Sequence, residues 1–127
     1  MAFSAYQALF VSATPMPLIN LGGVHSHPSN YTAGLALGAT GLATALVYGD
    51  DVQLKVGDAV QSSHTPRDEL FVTSKVPCCG AGDIGASWCR WHNAEYPDTD
   101  AYTRARIDMR LMGVDYVDLM LLHWPCE

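Results

Sequence analysis

The run Tyr116-Val117-Asp118-Leu119-Met120-Leu121-Leu122-His123 decides how the whole chain is read. Four consecutive apolar residues between an aspartate and a histidine fit a strand covered on both faces, as in parallel sheets. Upstream of it, helix and strand patterns alternate. Leu70-Phe71-Val72-Thr73-Ser74-Lys75-Val76 reads as another strand, apolar for three residues and polar toward its C-terminal end. Between the two, Asp98 or Thr99 caps a helix running to about Met112 and closed by Gly113. Tyr102, Ala105, Met109 and Met112 form its predicted apolar stripe. Arg104, Arg106 and Arg110 are expected toward its exposed or dipole-favoured end. Residues 77–97 show no period and read as a long irregular excursion.

The same alternation continues toward the N-terminus. Asp50 and Asp51 suit a helix start, where carboxylates cap free N–H groups and favour the positive dipole end. Val52, Val56, Ala59 and Val60 then share one face, Asp51 and Lys55 sit four apart, and Ser62 to Asp68 ends the helix. Leu42 to Leu46 reads as a strand after the break from Gly38 to Gly41. A brief helical or irregular stretch lies around Tyr31 to Leu37. Met16-Pro17-Leu18-Ile19-Asn20-Leu21 is a first apolar strand stopped by Gly22-Gly23. The order predicts an α/β fold with four parallel strands and right-handed crossover helices.

At 127 residues the chain suits a single domain, 1–127. With 49% hydrophobic residues it excludes collagen, a disulfide scaffold and a disordered acidic tail. A net charge of −6 argues against nucleic acid as a partner. All charged side chains lie from Asp50 onward. The uncharged stretch Pro28 to Gly49 contains Gly34-x-x-x-Gly38, a spacing that lets membrane helices approach closely. It is rich in Gly, Thr and Ala and has no basic flank, so no membrane span is expected. The first residues lack a basic n-region, which argues against a secretory leader and for a cytoplasmic location. In that compartment Cys78, Cys79, Cys89 and Cys126 are expected as reduced thiols. Cys78-Cys79-x9-Cys89-x2-His92 is a weak zinc pattern, lacking two clean C-x2-C arms, and no metal is expected.

In parallel α/β sheets, function gathers at the C-terminal ends of the strands. Three side chains fall there: Tyr48 after the second strand, Lys75 at the end of the third and His123 at the end of the fourth. A phenol, an amine and an imidazole on one rim make a proton-transfer cluster.

At these residues the chain resembles the aldo-keto reductase family. Met16-Pro17 through Gly22-Gly23 is similar to its opening strand and glycine turn, and Thr44-Ala45-Leu46-Val47-Tyr48-Gly49 to the segment carrying its catalytic Tyr. Val56-Gly57-Asp58-Ala59-Val60 resembles the helix that follows, and Arg67 to Lys75 the strand ending in the catalytic Lys. Gly113 through His123-Trp124-Pro125 resembles its most recognisable stretch, ending in the catalytic His. The resemblance implies a (β/α)8 TIM-type barrel, of which this chain would be the N-terminal half, and NAD(P)H-dependent reduction of a small aldehyde or ketone, with NADPH the cofactor carried from the family. It also implies that Tyr48 is the acid, Lys75 its tuner and His123 the orienting donor. Gly23, Val24 and Thr44 would meet the nicotinamide end.

Two departures qualify what the resemblance implies. The family's Asp would stand just before Thr44, where this chain has Ala43, so Lys75 loses its expected anion and reductase chemistry is expected to be severely impaired. Asp50 and Asp51 look committed to a helix start, and Asn20 replaces a glycine of the opening motif. A full barrel takes about 250 residues. The chain is therefore expected to be truncated, its open sheet covered by self-association or a partner chain. The alternative is a catalytically inactive half-barrel acting through such association.

Overall fold

The computed structural model describes residues 14–22, 28–79, 83–91, 96 and 98–125. In chain order the elements are β1 (Leu21–Gly22), α1 (Pro28–Ala36), β2 (Gly41–Ala43), α2 (Asp50–Gln61), β3 (Phe71–Val76), α3 (Asp83–Trp91), α4 (Ala101–Met112) and β4 (Leu119–Leu122). One-turn 3₁₀ helices at Leu46–Tyr48 and Arg67–Glu69 lead into α2 and β3. The strands form one parallel sheet in the order β1-β2-β3-β4. This is the expected α/β architecture of four parallel strands joined by crossover helices. Residues 28–49, the candidate membrane stretch, break into a helix, a strand and a 3₁₀ turn. Among the described residues no helix is long and apolar enough to cross a membrane.

The core lies between the sheet and its helices. Tyr31 and Leu35 from α1, and Val56, Ala59 and Val60 from α2, pack with Leu42, Leu70, Val72 and Met112. The α2 face read from the sequence is thus the buried one. Gly57 makes the α2–α4 crossing possible, because a side-chain carbon there would strike the backbone of Met112. Gly113 ends α4 in the left-handed region, at φ 63°, which glycine adopts without steric cost.

Several local expectations are corrected. β1 is only two residues long, and Leu18 and Ile19 stand exposed before it. The cap of α2 is Gly49, with no side-chain hydrogen bond; Asp50 and Asp51 occupy the first turn, where the helix dipole favours them. The cap of α4 is Asp100, whose carboxylate accepts the Thr103 N–H at 2.6 Å. The buried face of α4 is Arg104, Asp108 and Met112, while Tyr102 is 72% exposed. The i, i+4, i+8 spacing still holds, but the helix is rotated to bury charged groups that find polar partners. Residues 83–91, inside the predicted irregular excursion, are helix α3. β4 is not covered on both faces: Leu121 is 39% and Leu122 56% exposed. It is the last strand of the described sheet, so its outer edge meets no neighbour there.

Candidate functional site

All four strands run the same way, so their C-terminal ends make one rim. Tyr48 reaches it from the 3₁₀ turn after β2, Lys75 from within β3 and His123 from the residue after β4. The structure brings the three together. The Lys75 Nζ lies 5.3 Å from the Tyr48 ring centroid. The Tyr48 and His123 rings meet edge-on, with centroids 5.8 Å apart. His123 stacks on Trp124 at 5.0 Å, and the Trp124 indole donates to the Cys78 carbonyl at 2.9 Å. Trp88 and Trp91 of α3 extend this aromatic wall outward.

The electrostatics of the rim are set by burial. Half-buried Tyr48 has its phenol pushed above its ordinary value by desolvation. Desolvation also holds the Lys75 ammonium below its usual range, partly offset by the charge of Asp108. The Nζ donates to the Thr44 carbonyl at 2.7 Å. Ala43 pairs with Thr73 across the β2–β3 ladder and offers no charge. A second phenol, Tyr31 from α1, is buried nearby; burial raises it most, Thr44 lowers it and Tyr48 raises it further.

Thr44 is fully buried, and its hydroxyl donates to Gln53 Oε1. Of the other expected cofactor positions, Gly23 and Val24 lie outside the described residues. The carboxylates weighed as substitutes for the missing Asp are both engaged: Asp50 by the Tyr96 hydroxyl at 2.7 Å, Asp51 by Lys55 at 2.8 Å.

Sequence reasoning missed Gln53 and Asp108. Gln53 Nε2 donates to Asp108 Oδ1, and both residues are fully buried against Ser74 of β3. Burial drives the Asp108 carboxyl up to about 6, against the lowering effects of Ser74, Gln53 and Lys75. The spacing back from Met112 to Asp108 and Arg104 was the available signal. It was obscured by the assumption that arginines face solvent. Arg104 is only 2% exposed, and donates to the carbonyls of Tyr96 at 3.0 Å and Pro77 at 3.1 Å.

The thiol expectation is also corrected. Cys79 and Cys89 form a disulfide that ties the segment after β3 to α3, and Cys78 is disulfide-bonded as well. Cys126 and His92 lie outside the described residues, and no group of three metal-ligating side chains is found among those described.

Comparison with known proteins converges on one family. The model of the Aldo/keto reductase family matches residues 31–127. Aldo-keto reductase family 1 member A1 of Rattus norvegicus is 30% identical over 131 residues, covering 96% of this chain and 35% of its own length. Glycerol 2-dehydrogenase (NADP(+)) of Saccharomyces cerevisiae is 33% identical over 116 residues, covering 88% and 31%. The crystal structure of MGS-M4, an aldo-keto reductase from a deep-sea metagenome library of the Medee basin, superposes with a TM-score of 0.65 at 28% identity. That match covers 87% of this chain and 36% of the other. The chain thus spans about a third of the length of the relatives it matches.

Proposed function

Because this chain belongs to the aldo/keto reductase family, we propose that it serves NADPH-dependent reduction of small aldehydes or ketones. The observation that carries the reading is the convergence of Tyr48, Lys75 and His123 on one strand rim. A bound NADPH supplies the hydride. The Tyr48 hydroxyl gives its proton to the carbonyl oxygen, and the His123 ring donates a hydrogen bond that orients the same oxygen. The Lys75 ammonium favours the phenolate left behind. The name of the yeast relative supports the phosphorylated cofactor.

Of the positions carried over for the nicotinamide, Thr44 alone lies among the described residues. In this reading Gly23, Val24 and the Thr44 turn meet the nicotinamide, with buried Thr44 acting through its carbonyl on Lys75. Arg67 is tied to Asp118 and Arg104 to two carbonyls, so neither is spare for a phosphate. The proposed compartment is the cytoplasm, and the closed Cys79–Cys89 bridge is the observation that favours an oxidising one instead.

NADPH fluorescence titration, followed by turnover of a small aldehyde, tests the reading. Quenching that saturates below millimolar supports it, and no binding at millimolar cofactor overturns it. Ala43 is expected to weaken catalysis, because no carboxylate at that position opposes the desolvation that holds the Lys75 ammonium below its usual range. Ala43→Asp should raise a measurable rate, by as much as about 10²–10³-fold, the worth of one electrostatic group at such a site. An unchanged rate would show that the missing carboxylate is not the defect.

A second reading has its own support. The exposed Leu121 and Leu122 on the outermost described strand suit a non-catalytic half-barrel covered by a second copy or a partner chain. Light scattering separates the two possibilities. A well-folded monomer that binds NADPH would exclude this second reading.

A further inference from the structure

We propose that Asp108, acting through Gln53 and the Thr44 peptide, is the positioning residue that supplies the counter-charge to Lys75 in place of a carboxylate at position 43. The contacts form one continuous chain. Asp108 Oδ1 accepts from Gln53 Nε2, and Gln53 Oε1 accepts from the Thr44 hydroxyl. The Thr44 carbonyl accepts from Lys75 Nζ at 2.7 Å. An amide has one donor end and one acceptor end, so Gln53 bridges a carboxylate and a hydroxyl in a single sense. The chain begins at a negative charge and ends at a positive one.

Asp108, Gln53, Thr44 and Ser74 are all fully buried, on the helix side of the sheet. Lys75 leaves the opposite side of β3 toward the rim, as the alternation of strand side chains requires. A half-buried ammonium held by one carbonyl dipole lacks a full counter-charge. Asp108 is the carboxylate whose charge acts on Lys75, and Lys75 in turn favours the ionised form of Asp108. The other groups around the pair do not supply that charge. Tyr48 presents its ring to Lys75 from the 3₁₀ turn, and His123 lies beyond Tyr48 after β4. Ser74 from β3 and Gln53 from α2 face Asp108 with neutral groups. Arg104, one turn earlier on α4, is turned to the carbonyls of Pro77 and Tyr96.

The catalytic meaning of this pairing rests on the reductase reading; the pairing itself does not. The test is therefore an NMR titration of the intact chain that observes the Lys75 side-chain Cε and Nζ without cofactor or substrate. In the unaltered protein the Lys75 Cε resonance should show an inflection where Asp108 titrates, at about 6. In Asp108→Asn that inflection should vanish, and the titration of Lys75 itself should move down by about one pH unit. Absence of the inflection in the unaltered protein overturns the proposal, whether or not the variant folds. A Lys75 titration unmoved in folded Asp108→Asn overturns it too. If NADPH fails to bind while the inflection is present, the reductase reading falls and the pairing stands.

Discussion

Arg67 and Lys75 flank opposite ends of β3 and meet opposite surroundings. At the N-terminal end of the strand, Arg67 pairs with Asp118 at 2.9 Å and donates to the carbonyls of Leu70 at 2.7 Å and Tyr116 at 2.9 Å. Its guanidinium also lies over the Tyr116 ring, 3.9 Å from the centroid. The same Asp118 oxygen accepts the Val72 N–H at 2.7 Å. At the C-terminal end, Lys75 has a carbonyl at 2.7 Å and, among the described residues, no ion-pair partner within contact. One end spends its charges on joining β3 to β4. The other leaves a cation whose protonation responds to its neighbours, as proton transfer requires.

Breaking the N-terminal end should have the largest effect. Asp118→Ala leaves Arg67 and the Val72 N–H without their shared acceptor. Because the Asp118 carboxylate is fully buried, the expected loss is about 3 kcal/mol, measured by urea unfolding. A loss below about 1 kcal/mol would mean that the two ends do not differ in the way their contacts suggest.

The C-terminal end should reveal itself through pH. The Asp108 carboxyl titrates at about 6 in the fold, well above the usual carboxylate value of about 4. The folded chain then holds this proton to higher pH than the unfolded chain does. The contribution of this group to stability is therefore fully present below pH of about 4 and is lost as pH rises through 6, about 3 kcal/mol in all. Urea midpoints measured from pH 4 to 7 should show the decline, and Asp108→Asn should flatten it. Identical pH profiles for the unaltered protein and Asp108→Asn would contradict the assignment of the buried charge.

The same contrast explains what the sequence made legible. The alternation of strands and helices and the α2 core face follow from apolar periodicity, and both are present, with shorter strands than read. The rim positions of Tyr48, Lys75 and His123 follow from where the strands end. Periodicity failed where burial was polar. Arg104 and Asp108 look like surface residues until carbonyls from the Pro77 and Tyr96 segments and an amide from α2 are seen to meet them. Those partners lie 8 to 55 residues away in the chain, beyond any local pattern. The α3 helix was hidden for a similar reason: its Gly and Cys content reads as loop until the Cys79–Cys89 bridge and the contact of Trp88 with Trp124 hold it on the rim. The full coverage expected of β4 assumed layers packed on both of its faces, and Leu121 and Leu122 remain exposed among the described residues.

The smallest effect is expected at a third cation. Lys55 pairs with Asp51 at 2.8 Å, a distance as short as that of Arg67 to Asp118, and Lys55 holds the Asp51 carboxyl below its ordinary value. Yet both side chains stand in solvent, where water competes for each charge and salt screens what remains. Lys55→Ala should leave the urea midpoint unchanged within error at 0.15 M salt, a screening length of about 8 Å. If distance alone governed these pairs, this variant would lose as much as Asp118→Ala. If burial governs them, its midpoint stays in place while that of Asp118→Ala falls, and the difference between the two ends of β3 is one of desolvation.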